Sequence, residues 1–265
     1  MLAVCATPIG NLEDVTLRVL DELREADLVL CEDTRHTRVL LQRHGITAQL
    51  QSYHEHNEAQ RVAELVPRLL AGERIALVSD SGLPGISDPG ARLVAAALDA
   101  GVRVSVLPGA SAVETALVAS GLVGDRYQFV GFLPRAAGQL DALWTQLAAW
   151  PFAVVAFESP QRLPRTLASL AHALPDRPAA VCRELTKLYE EVVRGTAAEL
   201  AARFSEPPKG EVVLVLGAAD LVRDDEAPLA AVAELVEAGL PRRRAADVVS
   251  RLTGVARNRL YRGSL

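Results

Sequence analysis

Short apolar runs alternate with amphipathic segments through the first half of the chain. The apolar runs predict a buried strand at residues 2–6 and further strands at 28–31, 75–79 and 104–107. Apolar residues at helical spacing and closing glycines predict helices at 16–26, 35–44, 57–72 and 91–100. Asn57 opens the third of these helices, with Gln60 as its expected capping-box partner. Strand–helix alternation of this kind predicts an α/β fold with a mostly parallel sheet and helices on both faces.

A second α/β pattern follows a small-residue, glycine-rich stretch at 109–124. Its predicted strands are 127–132, 152–157, 179–183 and 211–217, and its predicted helices are 139–149 and 162–172. The directions of these strands stay open. An acidic linker is expected at 220–228, ahead of a helical segment. We therefore predict an N-terminal α/β domain at 1–115, a second α/β domain at 116–220 and a small basic helical domain at 228–265.

The C-terminal segment has the opposite charge from the rest of the chain. Residues 242–262 contain seven arginines and one acid, Asp247, a net charge of +6 in a chain whose total is −5. A basic appendage on an acidic body favours contact with a polyanion, although a solvated helical face is the alternative.

The composition excludes several classes of protein. The N-terminus has no basic segment followed by an apolar one, and no apolar run reaches about 18 residues, so neither a signal peptide nor a membrane span is expected. Three widely spaced cysteines fit the reducing cytoplasm. His54 and His56 could share one face of a strand and bind a metal, but we interpret them as part of a loop and expect no metal site.

Three loops rich in glycine, proline and small residues each follow a predicted strand. They span 7–11, 79–90 and 108–112, where an α/β sheet binds its ligands. Small residues let the backbone approach a ligand closely. None of the loops has the glycine pattern of a dinucleotide-binding or P-loop protein, and the chain has no GxSxG motif of a hydrolase. One such loop could be a structural turn, but three together favour a binding site.

Eight motifs, in order along the chain, resemble the tetrapyrrole-methylase-fold family, and within it the branch that acts on small-subunit ribosomal RNA. They are ATPIGNLED at 6–14, CEDTR at 31–35, the loop at 79–90, PGASA at 108–112, GFLP at 131–134, FESPQR at 157–162, RELTK at 183–187 and KGE at 209–211. Ser81 and Ala110 depart from the family pattern but stay small. The resemblance implies two α/β domains with the cofactor in the cleft between them and a small C-terminal helical unit.

What the resemblance implies about activity is specific. The expected enzyme uses S-adenosyl-L-methionine to methylate the 2′-hydroxyl of a cytidine in the decoding region of 16S rRNA, and its partners are that rRNA or the small ribosomal subunit. The expected enzyme is a cytoplasmic homodimer. The expected cofactor contacts are Pro8, Ser79, Asp80, Ser81, Gly82, Pro84, Ile86, Ser111, Ala112, Phe132, Leu185, Thr186 and Gly210. The expected RNA contacts are Arg35, Arg162, Arg242, Arg243, Arg244 and Arg257.

A hydroxyl is a poor nucleophile until it is deprotonated, so a base or a polarising cation would help methyl transfer. The charged motifs of the second domain supply Glu158, Glu184 and Lys187 as catalytic candidates, and Asp33 is a further one. Each could instead form a structural ion pair, with Arg35, Arg162 or Arg183 as the partner.

Two other functions compete with this interpretation. A corrin or porphyrin C-methyltransferase would share the fold and the cofactor, but it has no evident use for the charged motifs and the basic C-terminal segment. A non-catalytic RNA-binding module is disfavoured because aromatic residues are only 4% of the chain, too few for base-stacking platforms.

Overall fold

The computed structural model describes residues 1–219, 226–253, 255 and 257–264. The chain forms two compact units, Met1–Ala219 and Asp220–Leu265. None of the helices in the described ranges combines the length and the apolar character that crossing a bilayer requires.

The first sheet is parallel and has five strands in the order β3-β2-β4-β1-β5. The strands are β1 (Leu2–Cys5), β2 (Leu28–Cys31), β3 (Leu50–Ser52), β4 (Ile75–Val78) and β5 (Val104–Leu107). The helices in this part of the chain are α1 (Leu17–Glu25), α2 (Thr34–Arg43), α3 (Glu58–Leu70), α4 (Ala91–Asp99) and α5 (Ala112–Ser120). A five-stranded parallel sheet of this kind confirms the predicted α/β class.

Helices cover both faces of this sheet because successive residues of a strand point to opposite sides. Leu2 and Val4 pack with α3 and α4, whereas Ala3 and Cys5 pack with α1 and α2. All residues of β1, β2 and β4 are buried, as expected for a parallel sheet covered on both faces. Only the strand ends are therefore open to a ligand.

The second sheet is mixed, in the order β6-β7-β10-β8-β9. Its strands are β6 (Tyr127–Phe132), β7 (Ala153–Glu158), β8 (Pro178–Arg183), β9 (Glu191–Thr196) and β10 (Val212–Leu216). β6 and β7 are parallel, and β10 runs antiparallel to both β7 and β8. Consequently Val212, the first residue of β10, pairs with the last residues of β7 and β8.

Helices also cover both faces of the second sheet. One face packs against α6 (Ala137–Leu147), α7 (Leu163–Ala173) and α8 (Ala197–Arg203) around the buried Trp144. The other face packs against α5, where Val113, Ala116 and Leu117 meet strand residues and Ile9 from the loop after β1. α5 and Ile9 therefore join the two sheets within the first unit.

The second unit contains α9 (Glu226–Glu237), α10 (Arg242–Thr253) and α11 (Arg257–Gly263). These helices pack around a small core that includes Val232, Ala246, Val249 and Leu260. Helical structure in this segment was expected. Most of the predicted acidic linker, residues 220–225, lies outside the described residues, and α9 begins at Glu226.

The predicted capping box at α3 was wrong. Asn57 is the N-cap residue, but its side chain makes no cap hydrogen bond. Instead Asn57 Oδ1 accepts a hydrogen bond from the His54 amide at 2.9 Å, and Nδ2 donates to the Ser52 carbonyl at 3.2 Å. The side-chain amide of Asn57 thus closes the turn that follows β3. The sequence pattern did not indicate this strand, and His54 and His56 lie after it rather than on it.

Candidate functional site

The loops after β1 and β4 are bound to each other at the carboxyl edge of the first sheet. The Thr7 amide donates to the Gly82 carbonyl at 2.8 Å, and the Gly82 amide donates back to the Thr7 carbonyl at 3.1 Å. Thr7 Oγ1 also donates to the Ser79 carbonyl at 3.0 Å. Gly82 has φ +81°, a conformation that favours glycine. Two of the three small-residue loops therefore form one fixed wall.

The loop after β8 closes against the loop after β1. A Cβ atom at Gly10 would lie 2.6 Å from Lys187 Cγ and 2.8 Å from the Leu185 carbonyl oxygen, so only glycine fits there. The Asn11 amide donates to Thr186 Oγ1 at 3.0 Å. This contact brings the charged motif at 183–187 to the ligand edge of the first sheet.

A cavity of about 620 Å³ opens between the two sheets. Its volume lies within the range that is typical of small-molecule sites. Apolar walls come from both sheets and include Ile9, Val113, Phe132 and Phe157. Four carboxylates also line it, namely Asp80, Asp88, Glu158 and Glu211. The cavity therefore suits a ligand that is partly apolar and partly cationic.

Most of the residues expected to bind the cofactor meet at this cavity. Nine of the thirteen line it: Asp80, Ser81, Gly82, Ile86, Ser111, Ala112, Phe132, Leu185 and Gly210. Pro8 and Ser79 line an adjoining pocket of about 120 Å³, which shares Asp80 and Ser81 with the larger one. Pro84 and Thr186 line neither pocket. The binding role of each residue stays a prediction.

Sequence reasoning missed other lining residues. The ones without an assigned role are Ile9, Leu83, Ser87, Asp88, Val113, Ser159, Pro160, Cys182, Glu211, Val212 and Val213, together with Phe157. Several lie at the edge where β7, β8 and β10 meet, so finding them requires the strand directions. Ser87 and Asp88 could have been found, because they lie inside the small-residue loop at 79–90.

Glu158, the first catalytic candidate, is a buried and fully bonded carboxylate. It forms an ion pair with Arg162, accepts from the Ser159 amide at 2.7 Å and accepts from Thr166 Oγ1 at 2.5 Å. Arg162 also donates to the Leu133 carbonyl at 3.1 Å. These contacts join the end of β7 to α7 and to the segment after β6. They favour the ion-pair interpretation of Glu158 and Arg162.

Glu184 and Lys187 form one network with Glu211. Lys187 Nζ donates to Glu184 Oε1 at 3.0 Å and to Glu211 Oε2 at 2.8 Å. Although partial burial opposes the charged form, hydrogen bonds to Glu211 and Glu184 raise the pKa of Lys187. A hydrogen bond from the Glu211 amide, together with Lys187, lowers the pKa of Glu184. Lys187 is therefore a fixed cation where it lines the smaller pocket.

The other charged candidates lie in different surroundings. Arg35 is exposed and pairs with Asp33 at 2.7 Å, and the hydrogen bonds from Arg35 lower the pKa of Asp33 to about 2. Arg183 pairs with Glu191 rather than with Glu184. In the second unit Arg243 and Arg244 are exposed.

Two further arginines of that unit have protein partners. Arg242 donates to the Ser264 carbonyl, and Arg257 pairs with Asp247 at 3.4 Å. Within the described ranges, no group of three or more His, Cys, Asp or Glu side chains is arranged to hold a metal ion.

Comparison with known proteins identifies the family of this chain. The sequence profile of the tetrapyrrole (corrin/porphyrin) methylases matches residues 1–201. The chain is 44% identical to the ribosomal RNA small subunit methyltransferase I of Mesorhizobium japonicum, over 98% of the chain and 90% of that protein. It is 41% identical to the protein of the same name from Streptococcus pyogenes, over 98% of the chain and 93% of that protein.

Solved structures share the fold. The methyltransferase CobJ matches with a TM-score of 0.63 at 21% identity, covering 82% of this chain and 94% of that one. The uroporphyrin-III C-methyltransferase of Thermus thermophilus, complexed with S-adenosylhomocysteine, matches with a TM-score of 0.57 at 20% identity, covering 84% and 98%. The chain belongs to the tetrapyrrole (corrin/porphyrin) methylase family, and within it to the group of ribosomal RNA small subunit methyltransferase I.

Proposed function

We propose that this chain is an S-adenosyl-L-methionine-dependent methyltransferase that methylates the 2′-hydroxyl of a cytidine in the decoding region of 16S rRNA. The observation that carries the proposal is the cavity between the two sheets, lined by the motifs that the chain has in common with its family. The choice of substrate is supported by relatives that are 40–44% identical over nearly the whole chain and are named for small-subunit rRNA.

The cavity fits the chemistry of the cofactor. Phe132, Phe157 and Ile9 offer apolar surface to a flat base. Asp80 places negative charge in the same cavity, which favours the cationic sulfonium and ammonium groups. When bound there, the cofactor supplies an activated methyl group on a good leaving group. The chain has to orient the acceptor hydroxyl, exclude water and take up a proton.

The ribosomal substrate is favoured over a tetrapyrrole. The corrin and porphyrin methyltransferases among the solved structures are at most 22% identical to this chain, which supports a shared fold alone. Lys187 and Arg35 are each paired with carboxylates, but the second unit carries exposed Arg243 and Arg244. Cations of this kind favour a phosphate backbone.

RNA contact by the second unit follows from its charge. α10 and α11 carry seven arginines, and Asp247 is the one acid in residues 242–262. Arg243 and Arg244 are exposed at the start of α10, whereas Arg242 and Arg257 have partners within the unit. We therefore rank Arg243 and Arg244 above Arg242 and Arg257 as phosphate contacts.

Three further parts of the proposal rest on the family resemblance and on the substrate. A homodimer is the assembly that the resemblance implies, and sedimentation velocity tests it. A cytoplasmic location follows from an rRNA substrate and agrees with three free, buried cysteines. Lys187, held by Glu184 and Glu211, is proposed to hold a substrate phosphate or the developing oxyanion.

Methyl transfer with labelled cofactor tests the proposal. Small ribosomal subunits that lack the modification, naked 16S rRNA and a reduced tetrapyrrole serve as the three acceptors. The proposal expects label in the RNA of one of the first two samples. Label in the tetrapyrrole alone would favour the corrin or porphyrin methyltransferase. Calorimetry with the cofactor alone, with and without a metal chelator, shows whether binding is independent of a metal.

A further inference from the structure

The four carboxylates that line the cavity differ in what they bind. Glu158 is held by Arg162, Thr166 and the Ser159 amide. Glu211 accepts from Lys187 at 2.8 Å. Asp80 Oδ1 accepts from the Asp33 amide at 3.2 Å, and its Oδ2 lies 3.7 Å from His36 Nδ1. Three of the four are therefore already engaged.

Asp88 differs from the other three. Among the described residues, its carboxylate has no hydrogen-bond or ion-pair partner, although the side chain lines the cavity and is half-buried. A half-buried charge without a partner is unfavourable for stability and needs an explanation. A role in proton transfer supplies one, because a base must keep its lone pairs available to the substrate.

The backbone around Asp88 is held in place. Ser87, directly before it, has φ +63°, a left-handed conformation that costs a residue other than glycine about 1 kcal/mol or more. Two residues after Asp88, the Gly90 amide donates to Glu58 Oε1 at 3.2 Å, and Tyr53 donates to the same oxygen at 2.8 Å. Strain of this kind accumulates at functional sites. The backbone that carries Asp88 is thus held by the fold, while its carboxylate is left available to a substrate.

The charges that act on Asp88 are negative. Burial, and then the carboxylates of Glu32 and Asp80, raise the pKa of Asp88 to about 6. Glu32 lies in the loop after β2, and its own pKa is raised by burial and by Asp80, while His54 acts in the opposite direction. A carboxylate with a pKa near neutrality is a stronger base than an ordinary aspartate and is still ionised at neutral pH.

We propose that Asp88 is the catalytic base that removes the proton of the acceptor hydroxyl, a role that rests on the proposed methyltransferase function. The hydroxyl proton passes to the carboxylate as the hydroxyl oxygen forms its bond to the methyl carbon. The carbon–sulfur bond breaks at the same time, and its electron pair stays on sulfur as a neutral thioether. Asp88 then releases the proton to solvent, so charge and atoms balance.

Asp88→Asn tests this proposal in the full-length chain. We expect single-turnover methylation of small-subunit RNA to fall by about a hundredfold or more, while calorimetric affinity for the cofactor stays within about threefold. Asp99→Asn, an exposed carboxylate at the end of α4, is the matched control and should keep the parent rate. A variant that keeps its rate would overturn the proposal. A variant that loses cofactor binding would also overturn it, because Asp88 would then anchor the cofactor.

The pH dependence provides a test that does not depend on the folding of Asp88→Asn. The kcat/KM of the parent, which reports groups of the free enzyme, should fall about tenfold per pH unit below about pH 6, and carbon NMR of the cofactor-free protein should show Asp88 titrating there. Glu32→Gln should move both midpoints to lower pH, because it removes a neighbouring negative charge. Midpoints that stay in place after Glu32→Gln would contradict the role. If the parent transfers no methyl group to RNA at any pH, the proposed function fails, whatever Asp88 does.

Discussion

Arg162→Ala tests whether Glu158 has a structural rather than a catalytic role. The substitution removes the cation that pairs with a carboxylate whose side chain is 0% exposed, and it leaves the Leu133 carbonyl without its donor. Breaking a buried ion pair from one side costs about 3–5 kcal/mol, because the remaining charge is uncompensated. Arg162 is itself 27% exposed, so water can partly replace it. We therefore expect a loss near the lower limit, about 3 kcal/mol.

Urea unfolding followed by circular dichroism measures this loss. Arg165→Ala, which replaces an exposed arginine in the first turn of α7, is the control and should change stability by about 0.5 kcal/mol at most. Single-turnover methylation at low temperature, where both variants stay folded, should change far less than stability does. An Arg162→Ala variant whose free energy of unfolding falls by less than about 1 kcal/mol, but whose methylation rate is mostly lost, would refute the structural role of Glu158 and favour a catalytic one.

Three further predictions address the loops, the second unit and Asp88. Gly10→Ala should destabilise the chain by about 1–3 kcal/mol and weaken cofactor binding, because the new Cβ atom would collide with the 185–187 loop. The control is Gly138→Ala, whose Cβ atom would enter open space, and it should be neutral or stabilising in urea unfolding. The double variant Arg243→Gln/Arg244→Gln should leave cofactor affinity unchanged. The dependence of log K for RNA binding on log salt concentration should become less steep, by about one unit for each phosphate that the variant no longer binds. An unaltered slope in a filter-binding titration would exclude a phosphate-binding role for these two arginines. Asp88→Asn should stabilise the chain by about 1 kcal/mol at pH 8, after allowance for solvent screening. Folding raises the pKa of Asp88, so the parent protein loses stability as pH rises from about 4 to about 6, and the variant does not. Urea unfolding below pH 4 should therefore show no gain.

The sequence predicted the ligand edge of the first sheet well. β1 and β4 are continuous apolar runs and β5 is apolar except for Ser105, and each is followed by a loop of glycine, proline and small residues. In a parallel sheet these loops lie at the same edge whatever the order of the strands. Contact between the loops of Thr7 and Gly82 also requires β1 to lie beside β4, which the pattern does not show.

The second half of the site was harder to predict because its sheet is mixed. Periodicity identifies a strand but not its direction, so it does not bring Val212 beside the last residues of β7 and β8. β3 and β9 are edge strands without a fully buried residue, and they lack the apolar signal of the other strands. α5 was missed because its small residues resembled a domain junction. The contact between Lys187 and Glu211 depends on this geometry, whereas the partners of Glu158 lie within eight residues of it along the chain.

Nucleoside mass spectrometry of 16S rRNA tests the central claim most directly. Small subunits and naked rRNA that lack the modification are incubated with the full-length chain and S-adenosyl-L-methionine, digested to nucleosides and compared with a sample without enzyme. The account predicts new 2′-O-methylcytidine from one position in the decoding region. A methyl group on a base, or no methylated nucleoside from either substrate while the protein still binds the cofactor, would contradict it.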